Sequence, residues 1–152
     1  MLRISKLTDY AIVMLSAMAK DKAEIHAAIE ISSATGIALP TVSKILKLLL
    51  NGGVLVSTRG AKGGYVLARE PDSITVAAVI AAMEGPIALT ECSISHEGCE
   101  QSSGCEMRGN WSVINQTIQK ALESVSLADM TRSAVPEEFH IPVTSLYREL
   151  GR

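Results

Sequence analysis

Three cysteines fall within fourteen residues, Cys92, Cys99 and Cys105, and the chain has no other. The stretch around them is Ser, Gly and Glu, with almost nothing apolar to bury a thiol. Cysteine in a core acts as a small hydrophobe, and this segment offers no core. Clustered thiols in a polar segment point to metal or iron–sulfur ligation, here one ligand short of four. Glu91, Glu97, Glu100 and Glu106 flank the cluster, and no Lys or Arg occurs between positions 70 and 107. Acidic neighbours raise a thiol pKa and disfavour a lone reactive thiolate. A bound cation reverses this, because the metal itself deprotonates its thiols. His96 would complete a Cys₃His zinc set. Free-thiol redox sensing is the other alternative.

The elements that must position this segment read from the chain on either side. Apolar residues at helical spacing (Leu7, Ala11, Met14, Leu15, Met18) predict a helix to Ala19, capped by Ser5 or Thr8. A second helix is expected from about Ala27 to Thr35, stopping at Gly36. Pro40 opens a third, with Val42, Ile45, Leu46 and Leu49 on one face and Asn51-Gly52-Gly53 at its end. Two β-rich runs, 54–58 and 65–68, flank the glycine-rich Arg59-Gly-Ala-Lys-Gly-Gly64, which reads as a hairpin. A helix from about Val76 to Glu84 stops at Gly85-Pro86. After the cysteines, Trp111, Ile114, Ile118, Leu122 and Val125 form one apolar stripe on a long helix, read as a dimerisation surface.

Helix, short turn, helix and hairpin make a winged helix-turn-helix. The fold class is therefore mainly α with a small β-hairpin wing, followed by the long dimerisation helix. The expected organisation is a DNA-binding domain over 1–85, a cysteine-containing loop over 86–107, a dimerisation helix over 108–130 and a tail over 131–152. The helix from Pro40 is the candidate recognition helix. Its outer face carries Pro40, Thr41, Ser43, Lys44 and Lys47, and the wing tip adds Arg59 and Lys62. Hydroxyls reach bases or phosphates, and cations neutralise phosphate. A dimer would set two recognition helices about 34 Å apart, matching a palindromic duplex.

Composition agrees. Net charge is −2, yet residues 1–69 carry nine basic and four acidic residues, whereas residues 70–152 carry five and twelve. From Leu39 to Arg69 there are five basic residues and no acid. Such asymmetry marks a nucleic-acid surface on the first half. Apolar residues make up 47% and aromatics 3%, so the core is aliphatic. No apolar run approaches the roughly 20 residues that span a bilayer, and the opening residues do not read as a secretory signal. The expectation is a cytoplasmic protein with no membrane partner. No nucleophile–base pair, paired acids or nucleotide fingerprint suggests an enzyme. The glycine hairpin lacks the Lys-[Ser/Thr] ending of a P-loop.

Several segments together resemble the IscR/NsrR-type (Rrf-two) winged-helix transcription regulators. They are the opening Met1 to Ala11, the wing Val56 to Ala68, and Glu84-Gly-Pro-Ile87 leading to three cysteines. Cys105 to Trp111 and Ser124 to Met130 are similar to the branch that regulates SUF iron–sulfur assembly genes. The resemblance covers about residues 1–131. It implies a homodimer, an iron–sulfur cluster on Cys92, Cys99 and Cys105, and cluster-dependent DNA binding, with repression the expected sign. IscR-type members carry a histidine three residues after the last cysteine, where this chain has Arg108. NsrR-type members use an aspartate from the partner's first helix, and Asp9 matches that position. The resemblance thus favours a [4Fe-4S] over a [2Fe-2S] cluster, with Asp9 of the partner subunit as fourth ligand.

Overall fold

The computed structural model describes residues 3–21, 24–90, 93 and 107–132. Helix α1 (Lys6–Ala19) starts where the Ser5 side chain accepts the Thr8 N–H. Ser5 is thus the cap, and Thr8 lies inside the helix and is buried. Helix α2 (Ala28–Thr35) ends at Gly36, whose φ of 72° is the left-handed conformation that suits glycine. The chain then turns by 118° into α3 (Leu39–Asn51). A sharp bend across a short glycine-containing turn is the helix-turn-helix geometry. The Ser32 hydroxyl donates to the Ile37 carbonyl at 2.7 Å and fixes that turn.

Strands β1 (Leu55–Thr58) and β2 (Gly64–Leu67) pair antiparallel, Leu55 opposite Leu67 and Thr58 opposite Gly64. The hairpin is docked rather than free. Tyr65 exchanges two backbone hydrogen bonds with His26, ahead of α2. A short 3₁₀ turn (Pro71–Ser73) leads to α4 (Val76–Glu84), which Thr75 caps. Val42, Ile45, Leu46 and Leu49 of α3 are buried against Met14, Leu15 and Met18 of α1, with Ile31, Val54, Leu55, Ile74 and Val79. Full burial of such a side chain stabilises by roughly 1.5–3 kcal/mol. Gly52 permits the close approach of α3 to α4, since a Cβ there would sit 2.3 Å from the Ala82 Cβ.

The structure corrects the expected long helix. Helix α5 runs Arg108–Glu123, not to 130. A separate helix, α6 (Leu127–Thr131), follows. The reason is a capping box. The Ser126 hydroxyl accepts the Asp129 N–H, and the Asp129 carboxylate accepts the Ser126 N–H. Val125 therefore lies in the connection, not on the helical stripe. Its carbonyl accepts the Val76 N–H, and the Leu127 N–H donates to the Ile74 carbonyl at 2.7 Å. Leu127 is buried in the same core as α1 and α3, so this part of the chain packs with the winged unit. Residues 133–152 lie outside the described residues. Among the described residues, no single helix is long and apolar enough to cross a membrane.

Candidate functional site

Helix α3 presents two unlike faces. Its apolar face is buried, and on the other Pro40, Ser43, Lys44 and Lys47 are exposed, with Thr41 half-buried. Pro40 costs no helical bond, because N–H groups of a first turn have no partner inside the helix. Arg59 and Lys62 are exposed at the wing tip. There the Gly63 N–H donates to the Gly60 carbonyl and the Gly64 N–H to the Thr58 hydroxyl. All seven candidate residues thus reach solvent on α3 or on the hairpin that follows it. Among the described residues, none of the four cations is held in an ion pair. They can neutralise phosphate without first losing a carboxylate partner.

The cysteine part of the site is described at its edges. Cys92, Cys99, Cys105 and His96 lie outside the described residues. Among the described residues, no group of three or more His, Cys, Asp or Glu could hold a metal. Asp9 sits in the first turn of α1 and is exposed. Its carboxylate makes no hydrogen bond or ion pair among the described residues.

Next to Asp9 is a connection that the sequence reading missed. The Glu84 carboxylate, at the end of α4, accepts the Ser5 N–H at 2.9 Å and the Thr8 hydroxyl. The Thr8 bond, then the Ser5 backbone bond, hold the Glu84 carboxyl below its usual range. Beyond Glu84 the chain runs along α5, where Asn115 is only 8% exposed. The Leu89 N–H donates to Asn115 Oδ1 at 3.0 Å, and Asn115 Nδ2 donates to the Ile87 carbonyl at 3.1 Å. At the next turn the Ser93 N–H donates to the Thr90 carbonyl. The signal for Asn115 was present: a polar residue between Ile114 and Ile118 interrupts an apolar stripe. The signal for Glu84 was weaker, because a helix-terminal glutamate is usually solvated.

On α5 the stripe is partly open to solvent. Trp111 is 42% and Ile114 45% exposed, and Ile118 and Leu122 are half-buried. These are large side chains for a free surface.

A winged helix-turn-helix with an exposed basic face defines the class of DNA-binding regulators. The matching family model, described as an iron-dependent transcriptional regulator, covers residues 4–133. The chain belongs to this family, Rrf2, which comprises transcriptional regulators and not enzymes. The HTH-type transcriptional regulator IscR of Erwinia tasmaniensis is 31% identical over 104 residues, 68% of this chain and 62% of that protein. Protein rrf2 of Nitratidesulfovibrio vulgaris is 31% identical over 105 residues, 69% of this chain and 70% of its own. Among solved structures, CymR (YrzC), the global cysteine regulator of B. subtilis, has a TM-score of 0.67 at 29% identity, covering 89% of this chain and all of that one. T. potens IscR has a TM-score of 0.62 at 26% identity, covering 85% of each chain. The chain spans about three-fifths of the length of the IscR relative from Erwinia.

Proposed function

We propose that the chain is a homodimeric, sequence-specific DNA-binding repressor of iron–sulfur assembly genes, controlled by an iron–sulfur cluster on Cys92, Cys99 and Cys105. The observation that carries DNA binding is the pairing of a basic α3 face, free of ion pairs among the described residues, with a basic wing tip on one winged unit. Lys44, Lys47, Arg59 and Lys62 neutralise phosphates and fix register. Ser43 and Thr41, near the start of α3, reach base edges, since the N-terminal part of a recognition helix enters the major groove. Trp111 and Ile114 pack on a second copy, which places two α3 helices on a palindromic duplex.

The donor chemistry fits the cofactor. Thiolates are the standard ligands of iron–sulfur clusters, and the exposed Asp9 carboxylate has no hydrogen-bond or ion-pair partner of its own among the described residues. Cys92, Cys99 and Cys105 would supply three bonds and Asp9 of the partner subunit the fourth, favouring a [4Fe-4S] cluster. When bound, the cluster supplies iron that can be oxidised or lost, with one harder, weaker carboxylate bond. The chain's own contribution is to tie the cysteine segment of one subunit to the first helix of the other. DNA then needs only to prefer one arrangement of the two winged units.

The deciding experiment is the visible spectrum of anaerobically purified protein with iron and sulfide analysis. Charge-transfer absorption with about four iron and four sulfide per chain supports the reading. A colourless, zinc-containing protein would assign the site to Cys₃His with His96. The likeness to the B. subtilis cysteine regulator favours one second reading, a thiol-based regulator without a cluster. It requires metal-free protein and reversible oxidation at Cys92 or Cys99.

A further inference from the structure

Among the described residues, the buried polar side chains are Thr8 and Asn115. Both hold the same short piece of chain. Thr8 binds Glu84, the last residue of α4, and Asn115 binds the backbone of Ile87 and Leu89. Cys92 follows Leu89 by three residues. The leader into the cysteine segment is therefore pinned at two points. One pin is on α1, one residue from Asp9. The other is on α5, within a turn of Trp111 and Ile114.

Buried polar groups are almost always hydrogen-bonded, and Asn115 is bonded across elements. It uses its acceptor and a donor on a segment more than twenty residues away in sequence, at two positions two residues apart. The amide thus ties two backbone groups of the leader to α5 at once. Beside the leader lies a cavity of about 460 Å³, lined by Ile4, Ile80, Ile87, Leu89, Ile118 and Leu122 among others. This cavity is open to solvent, and the leader forms one wall of it.

We infer that Asn115, together with the Thr8–Glu84 pair, is a positioning residue that transmits the state of the three thiols through the leader 85–89 to α5 and α1. This rests on the proposed control of DNA binding by the cysteine segment. In one thiol state the Asn115 bonds are made, and in the other they are released. Asn115 touches no thiol and no DNA. Its part is to make α5, and the α1 turn carrying Asp9, respond when the segment beyond Leu89 changes.

The test compares operator affinity in two thiol states, iron-loaded and iron-stripped, using a duplex selected by the wild-type protein from a random pool. Wild type should show a ratio within the roughly 5- to 150-fold range of ordinary coupling. Asn115→Leu, which keeps volume and helix propensity, should lower that ratio below about threefold while still loading iron. Glu84→Gln, which keeps the acceptor for Ser5 and Thr8, should retain it. If Asn115→Leu weakens both states equally and the ratio survives, Asn115 is only structural and the inference fails. A wild-type ratio of one removes the functional reading, and this inference with it. Should Asn115→Leu not fold, hydrogen exchange at the Leu89 amide of wild type decides. Protection should differ about tenfold between the two states, and equal protection overturns the inference.

Discussion

The outer face of α3 and the leader 84–89 are built by opposite means. On α3, the side chains that meet DNA in the proposed reading make no hydrogen bond or ion pair among the described residues. Lys44, Lys47, Arg59 and Lys62 extend into solvent from a helix and hairpin held by a separate apolar face. Along the leader, the side chains that matter are bonded within the fold. Glu84, Thr8 and Asn115 are held by hydrogen bonds at about 3 Å or below. In the proposed reading, the surface that accepts a partner is left unsatisfied, and the segment that reports a state is tied at two points. Substitutions on α3 should therefore change binding without changing stability, and substitutions behind the leader should change stability and the difference in binding between the two thiol states.

The largest effect expected lies in the core that both regions share. Leu127→Ala should destabilise by about 2–5 kcal/mol, because it opens a cavity between α6 and α1. Chemical denaturation would measure it, and a loss below about 0.5 kcal/mol would detach α6 from the winged unit. Next come the cations proposed to face DNA. The triple variant Lys44→Ala, Lys47→Ala, Arg59→Ala should weaken duplex binding at all sequences and reduce the salt-dependence slope by about 5, since three cations are lost from each subunit of the proposed dimer. Its thermal midpoint should stay near wild type, since exposed, unpaired side chains contribute little to folding. A large stability loss with an unchanged salt slope would break the contrast between the two regions.

Smaller effects sharpen the other side. Ser126→Ala removes the α6 cap and should cost about 1 kcal/mol, with DNA affinity unchanged. Glu84 gives a pH signature. Its folded pKa is lowered from 4.5 by the Thr8 and Ser5 bonds. The associated stabilisation is complete above the unfolded value and is lost as pH falls through the lower folded value. Acid unfolding of wild type should therefore steepen below about pH 4.5. Thr8→Val should flatten that limb by removing the leading cause of the shift. Identical acid limbs would mean that the Thr8–Glu84 bond carries no weight.

Much of the fold was legible because its elements obey local rules. The period of Val42, Ile45, Leu46 and Leu49, the stop at Gly36 and the glycine-rich tip between two β-rich runs each specify their element within a few residues. The α4 span was legible for the same reason, from Thr75 to Gly85. The break at Glu123 was not, because Val125 continues the apolar spacing and outweighs the Ser126 and Asp129 capping signal in a periodicity count. The basic face could be read from charge alone. The bonds of Glu84 and Asn115 could not, since their partners lie 76 and 26 residues away and no spacing rule relates them. The cysteines stand out in the sequence by chemistry, and their ligand geometry lies outside the described residues.

The central claim is that the cysteine segment governs how the winged unit binds DNA. Operator affinity of anaerobically purified, iron-stripped and Cys92→Ser protein on one selected duplex tests it most directly. The account predicts that iron-stripped and Cys92→Ser protein agree with each other and differ from the iron-loaded form by at least about fivefold. Equal affinity for all three forms would contradict it.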